Sequence, residues 1–120
     1  MPLYCSSKYS RTLIVAAFLF PPLAQANVSC TGPITYLGTD QGDQVLVAAG
    51  GTGINAICST VAQGSYQSSP QACKLFYGTL LADQLAGRSS TVFYNDPAIT
   101  QCSQITAWSP QPSAYFVASN

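Results

Sequence analysis

The sequence predicts a mainly β domain with one helix, in the order β-β-β-α-β-β, stabilised by two disulfides. Residues 69–87 are the only segment whose apolar positions recur at helical spacing. The segments on either side are short runs of β-branched and aromatic residues separated by glycine-containing turns, which is typical of strands. Downstream of residue 26 the chain keeps an even set of cysteines, which predicts two disulfides in a small exported domain. They are Cys30, Cys58, Cys73 and Cys102.

The first 26 residues have the features of a secretory signal. Lys8 and Arg11 precede an apolar run over residues 12–20, and Ala24 and Ala26 are small residues at the positions that a signal peptidase reads. The run is about half the length of the ~20 residues that a membrane span needs. We therefore expect cleavage after Ala26, a single domain over residues 27–120, a periplasmic or secreted location, and no membrane anchor.

Charge and residue types exclude several classes of function. Residues 27–120 carry two cations, Lys74 and Arg88, against four aspartates, a net charge of −2. Two cations are too few to displace the counterions of a nucleic acid. The chain has no histidine and no glutamate, so the usual general bases are missing and we expect no enzyme. There is no Cys-x-x-Cys pair, so neither a metal nor a cofactor is expected.

Three short strands are predicted before the helix. The loop at 38–43 holds two glycines and two aspartates, and residues 50–53 hold three glycines, so both favour chain reversals. Residues 27–33 are expected to be a leader, and residues 61–69, which include Tyr66, a linker. The predicted strands cover residues 34–37, 44–49 and 54–60.

The helix has chemically marked ends. Ser69 can accept a hydrogen bond from an unpaired amide of the first turn, Pro70 is preset for that turn, and Gly87 can adopt the left-handed conformation that ends a helix. Leu75 and Leu85 lie on the side away from the predicted core. The residues predicted to face the core are Ala72, Cys73, Phe76, Tyr77, Leu80 and Leu81.

Two strands are predicted after the helix. The first covers residues 90–95 and ends before Pro97, because proline cannot donate a hydrogen bond to a neighbouring strand. Residues 98–113 are expected to be irregular, and they contain Cys102 and Trp108. The last predicted strand covers residues 114–118.

Three strands, a helix and two further strands is the element order of the OB-fold, a five-stranded, partly open barrel with a helix between strands three and four. Residues 73–97 and 101–108 also resemble a group of small exported bacterial proteins of unknown function. More distantly, they resemble the binding subunits of AB5 toxins, above all the subtilase cytotoxin type. The resemblance implies an OB-fold-like five-stranded barrel, but no receptor-binding motif of those subunits matches. It is carried by Leu81, Ala82, Gly87, Val92, Phe93 and Tyr94.

The OB-fold topology selects one of the three connectivities that four cysteines allow. In that fold the end of strand three lies beside the start of the helix, and strand one borders strand four. We therefore expect Cys58 to pair with Cys73, and Cys30 with Cys102.

A candidate binding site follows from the same fold. OB-folds bind across one face, between the loop joining strands one and two and the loop joining strands four and five. An aromatic side chain beside carboxylates and amides suits a polar, ring-shaped ligand such as a glycan or another envelope component. Two structural interpretations stand beside it: turn aspartates commonly bond their own backbone, and the tryptophan is more readily interpreted as core. The candidate residues are Asp40, Gln41, Asp43, Trp108 and Gln111.

The predicted function is that of an exported, non-catalytic binding module. The alternative is a protein–protein assembly subunit or an inhibitor. In that case the exposed side of the helix, with Leu75 and Leu85, would form the interface, and a homo-oligomer is one form it can take.

Overall fold

A computed structural model describes residues 27–120, which form one α-helix, one 3-10 turn and six strands. The strands make a single sheet in the order β5-β3-β2-β1-β4-β6. The predicted signal segment lies outside the described residues. In chain order, the elements are β1 Val28–Thr39, β2 Gln44–Ala49, β3 Asn55–Ser59, α1 Pro70–Ala86, β4 Ser89–Tyr94, the 3-10 turn Cys102–Gln104, β5 Ser109–Pro110 and β6 Ala114–Ser119.

The sheet is open and has six strands, so the predicted five-stranded barrel is wrong in both strand number and closure. The difference arises in the last part of the chain. There β5 pairs in parallel with β3 at one edge of the sheet, while β6 pairs antiparallel with β4 at the other. Residues 111–113 join these two edge strands and can span no more than about 14 Å. The sheet is therefore curled so that its edges approach, although no ladder joins them.

The first strand is much longer than predicted, because the expected leader at 27–33 is part of it. Its first half pairs with β4 as far as Pro33, and its second half pairs with β2 from Ile34 onward. A glycine and a proline, typical strand breakers, therefore mark a change of partner within one strand. Gly32 also lies directly against the turn that follows β2, since a Cβ there would be 2.9 Å from the Cα of Gly50.

The helix ends where predicted. The Oγ of Ser69 accepts a hydrogen bond from the N–H of Ala72 at 3.1 Å, and Gly87 has a φ of 67°. Cys73 and Leu80 are buried, as expected for the centre of the core-facing side. Asp83 is buried as well, which the apolar pattern did not predict.

Apolar side chains fill both faces of the sheet. Alternation along β2 sends Val45 and Val47 to the inner face, which α1 covers, and Leu46 to the outer face. We call the small group on the outer face the outer cluster; it consists of Leu46, Ala56 and Tyr66, with Ile54 packed against them. The inner core consists of Cys30, Val45, Val47, Ala49, Ile57, Cys58, Cys73, Leu80, Val92, Tyr94, Ile99, Ile105 and Ala114.

Both disulfides have the predicted connectivity. Cys30 in β1 pairs with Cys102 in the 3-10 turn, at a Cα–Cα distance of 5.8 Å. Cys58 in β3 pairs with Cys73 in the first turn of α1, at 5.6 Å. Disulfides persist in oxidising environments, so they are consistent with an extracellular or periplasmic protein. No helix within residues 27–120 has the length and hydropathy that a membrane crossing requires.

Candidate functional site

Trp108 is on the surface, so its interpretation as a core residue is wrong. It lies between the 3-10 turn and β5, and 68% of its side chain is exposed. Its φ is 63°, in the left-handed region that bulky residues rarely adopt. A strained backbone at an exposed aromatic residue is a feature that the surrounding structure must hold in place.

Main-chain contacts hold the backbone around Trp108. The N–H of Trp108 donates to the carbonyl oxygen of Ile54, and the N–H of Gly53 donates to that of Ile105 at 2.8 Å. Gly53 permits this approach because it has no side chain: a Cβ there would lie 2.7 Å from the carbonyl carbon of Thr106. The side chain of Ile105 is buried and anchors the segment from the other direction. Trp108 is therefore presented outward by a fixed loop.

Tyr36 forms the second half of an aromatic pair with Trp108. The two rings meet edge to face, with centroids 6.0 Å apart and planes at 76°. Tyr36 lies opposite Ala48 of β2, and its hydroxyl leans along β1, since a Cβ on Gly38 would be 3.3 Å from it. Sequence reasoning missed Tyr36 as a site residue. The sequence signal that could have identified Tyr36 is an aromatic residue followed two positions later by a glycine, because these two positions of a strand share a face.

Asp40 builds the turn between β1 and β2. Its Oδ1 accepts hydrogen bonds from the N–H groups of Gly42 at 2.9 Å and Gln44 at 3.0 Å. This is the structural role that the sequence left open for the turn aspartates. Gln41 is exposed at the tip of the loop. Asp43 has a φ of 60° and helps the turn through its main chain.

Tyr66 is part of the outer cluster. Its side chain is only 8% exposed, and its hydroxyl has no hydrogen-bond partner among residues 27–120. Burial raises the pKa of this hydroxyl, and the nearby carboxylate of Asp40 raises that pKa further. A buried polar group without a partner costs about 1–3 kcal/mol of stability. The residue that was predicted to lie in a linker is thus packed in the outer cluster.

These side chains lie along one face of the sheet, and we call Trp108, Tyr36, Tyr66 and Asp40 the aromatic strip. Tyr36 contacts Trp108 at one end. Gly38, next to Tyr36, pairs with Leu46 of the outer cluster, where Tyr66 packs, and Asp40 follows at the other end.

The five predicted site residues are only partly brought together. Trp108 and Asp40 both belong to the aromatic strip. Gln41 and Asp43 lie beyond it in the hairpin loop. Gln111 is half-buried and reaches the outer cluster through its main chain, since its N–H donates to the carbonyl of Ala56 at 2.8 Å.

Among residues 27–120, the charges near the aromatic strip are all negative. Within residues 27–120 the cationic side chains are Lys74, on α1, and Arg88, just after it. The Nε of Arg88 lies 3.6 Å from the Oδ1 of Asp83. Asp40 and Asp43 therefore face no cation from the described residues at the β1–β2 loop. In the same part of the chain, no three potential metal-ligating side chains cluster.

Asp83 forms a separate polar cluster beneath the helix. Its Oδ1 accepts a hydrogen bond from Ser119 at 2.6 Å, and its Oδ2 accepts one from Ser90. The hydrogen bonds from Ser119 and Ser90 lower the pKa of this buried carboxyl, and the charge of Arg88 lowers it further. The cluster joins the end of α1 to β4 and β6, so its evident role is structural.

The chain was compared with protein families, curated proteins and solved structures. None of them matches it. The resemblance to exported OB-fold-like proteins and to AB5 binding subunits therefore remains a hypothesis.

Proposed function

We propose that this protein is an exported, non-catalytic binding module whose ligand lies on the aromatic strip. The observation that carries the proposal is the exposure of Trp108 on a backbone held in a strained conformation. A fold does not need such a residue for its own stability, whereas exposed aromatic faces are common contacts for ligands that are apolar on one side and polar on the other. Backbone strain of this kind clusters at binding sites.

The proposed ligand is a glycan or another component of the cell envelope. A pyranose ring has an apolar face for Trp108 and Tyr36 and hydroxyl groups for polar side chains. Asp40 lies at the other end of the aromatic strip. Gln41 follows Asp40 in the same loop, and Gln111 contacts the outer cluster through its main chain. This combination of an apolar platform with a few polar groups is typical of small-ligand sites.

We also propose that the domain is an open-sheet relative of the OB-fold, which is the fold of the exported proteins and AB5 binding subunits it resembles. Two topological features support this: β1 pairs with both β2 and β4, and α1 connects β3 to β4. The aromatic strip runs between the β1–β2 loop and the segment before β5, which are the loops that flank the binding face of OB-folds. The step from this topology to binding is an analogy.

Trp108 is the only tryptophan in the chain, so its fluorescence reports directly on the proposed site. A glycan array first identifies ligands for the secreted protein, and fluorescence titration then measures their affinity for the wild-type protein. Isothermal titration calorimetry measures the affinity of the wild type and the variants on one scale, because Trp108→Ala has no tryptophan. We expect Trp108→Ala to weaken binding at least about tenfold while the circular dichroism spectrum stays unchanged. The matched control is Phe116→Ala, which removes a half-exposed aromatic residue from β6 and should leave binding intact. A folded Trp108→Ala variant with unchanged affinity would show that Trp108 is outside the site.

A second candidate function is assembly, as a subunit or an inhibitor. Leu75 and Leu85 on α1 are 73% and 80% exposed, so no other described residue covers them. Exposed apolar patches of this kind mark interfaces, and the partner proposed here is a second copy of the chain. A single oligomeric species in light scattering that dissociates in a Leu75→Ser, Leu85→Ser double variant would support assembly. A monomer at high protein concentration would contradict it.

A further inference from the structure

The charge pattern of the aromatic strip indicates which glycans it selects, an inference that depends on the binding function proposed above. We propose that the aromatic strip prefers a pyranose carrying a protonated amine over the same sugar in acetylated or carboxylated form. The ring lies against Trp108 and Tyr36, and the ammonium group points toward Asp40.

The first support is that residues 27–120 place no positive charge near the aromatic strip to balance an anion. Asp40 and Asp43 lie in one loop, while the cations of residues 27–120 are Lys74 and Arg88, on the helix side of the sheet. Arg88 is also within 3.6 Å of Asp83, which partly neutralises it. A carboxylated sugar would meet two negative side chains and no positive one, whereas an ammonium group would be attracted to Asp40 and to the faces of the aromatic rings.

The second support is the unused acceptor capacity of Asp40 at the loop end of the aromatic strip. The Oδ1 of Asp40 already accepts two main-chain hydrogen bonds, while its Oδ2 accepts none from residues 27–120. An ammonium group has three N–H donors and no acceptor. It therefore suits an exposed carboxylate that has one oxygen without a hydrogen-bond donor.

The third support is the shape of the aromatic pair. The rings of Trp108 and Tyr36 stand at 76° to one another, so they offer two apolar surfaces that meet at an angle. A sugar ring can pack its face on one and its edge on the other, which a linear amine cannot. The pair therefore selects a ring, and Asp40 selects its charge.

The test compares three oligosaccharides of equal length: a glucosamine oligomer, its N-acetylated form and a glucuronate oligomer. Fluorescence of Trp108 is recorded at low salt and at a pH where the amine is protonated. We expect the glucosamine oligomer to bind about three- to fivefold more tightly than the acetylated one, the gain that an exposed ion pair typically gives. The glucuronate oligomer should bind most weakly. The preference should shrink in about 0.5 M NaCl, because salt screens exposed charges.

Asp40→Asn isolates the charge. The amide oxygen of asparagine can still accept the hydrogen bonds from Gly42 and Gln44, so the turn is retained while the carboxylate is lost. The matched control is Asp96→Asn, whose Oδ1 accepts an equivalent hydrogen bond from Ala98 at 2.9 Å in another turn. We expect the preference for glucosamine to disappear with Asp40→Asn and to survive Asp96→Asn.

Two results would overturn this inference alone: equal or tighter binding of an uncharged or carboxylated oligomer by the wild-type protein, or an unchanged preference in Asp40→Asn. In both cases a sugar still binds at Trp108, so the binding function stands. If no glycan of any charge binds, the proposed binding function itself is wrong.

Discussion

Two buried tyrosines, one on each face of the sheet, differ in whether their hydroxyl group has a hydrogen-bond partner among residues 27–120. Tyr94, on the inner face, is 1% exposed, and its hydroxyl donates to the Oδ1 of Asn55 at 3.0 Å. Asn55 in turn donates to the carbonyl of Val47 at 3.0 Å. Tyr66, on the outer face, is nearly as buried, yet its hydroxyl has no partner within residues 27–120.

The contrast extends to the residues around each tyrosine. The inner face combines satisfied polar groups with close apolar packing and anchors both disulfides. The outer face combines an unpaired hydroxyl with the exposed Trp108 in a strained conformation and an exposed carboxylate at Asp40. Local departures from good packing and satisfied hydrogen bonds are expected where a protein binds something. The inner face therefore holds the fold together, and the outer face is where a ligand is expected.

The largest effect is expected from removing the disulfides, because both attach to the inner face. In the chain-entropy model the Cys30–Cys102 loop contributes about 4.5 kcal/mol and the Cys58–Cys73 loop about 3 kcal/mol. Together they are comparable with the whole stability of a small domain. We expect reduction to unfold the protein and each Cys→Ser pair to lower the urea midpoint in that order. A reduced protein with an unchanged midpoint would contradict the central role given to the inner face.

The second effect tests the two tyrosines directly. Tyr94→Phe should destabilise the protein by about 1–3 kcal/mol, because it leaves the Oδ1 of Asn55 buried without its donor. Tyr66→Phe removes a hydroxyl that has no partner among residues 27–120, so stability should stay the same or rise slightly. Urea unfolding of the two variants measures the difference. If Tyr66→Phe costs as much as Tyr94→Phe, the hydroxyl of Tyr66 has a partner in solution and the contrast between the faces is lost.

The parts of the fold that the sequence predicted depend on neighbouring residues in the chain. The helix boundaries are set by Ser69, Pro70 and Gly87, which act within a turn of their own position. The length of β1 and the existence of β5 depend instead on distant partners. A Gly-Pro sequence at 32–33 normally ends a strand. Here β1 continues because its pairing partner changes from β4 to β2 at this point. β5 has two residues, one of them a proline, and carries no local signal.

The candidate site was predicted in the same uneven way. Trp108 and Asp40 were predicted from the two loops that flank the binding face of an OB-fold. Tyr36 was missed although Gly38, two positions later, was a local signal, because the register shift between Ile34 and Tyr36 that sets which side chains face outward depends on pairing with β2. Tyr66 was assigned to a linker because its burial depends on contacts with the outer cluster, which are distant in sequence.

A third effect concerns acid stability and the helix side of the sheet. Hydrogen bonds from Ser119 and Ser90 hold the pKa of Asp83 below its ordinary value of 3.8. A carboxyl whose pKa is lowered by folding stabilises the native state at pH values above its unfolded pKa, and this contribution is lost as the pH falls through its folded pKa. Wild-type stability should therefore decline below about pH 4, and the decline should be shallower in Asp83→Asn. Equal pH profiles for the two proteins, measured by urea unfolding, would exclude Asp83 as a source of acid sensitivity.

The smallest effect on stability is expected at Trp108, the residue proposed to contribute most to binding. Trp108→Asn places at a φ of 63° a residue that tolerates the left-handed region far better than tryptophan does. The relief of about 1–2 kcal/mol of strain offsets the lost contact with Tyr36, which contributes about 0.5–1.5 kcal/mol. We expect an unfolding free energy within about 1 kcal/mol of wild type, together with loss of ligand binding. Tyr94→Phe supplies the opposite case, a variant that loses stability but should keep its affinity while folded. If Trp108→Asn unfolds the protein, then Trp108 belongs to the structural framework, and the division between a stabilising inner face and a binding outer face does not hold.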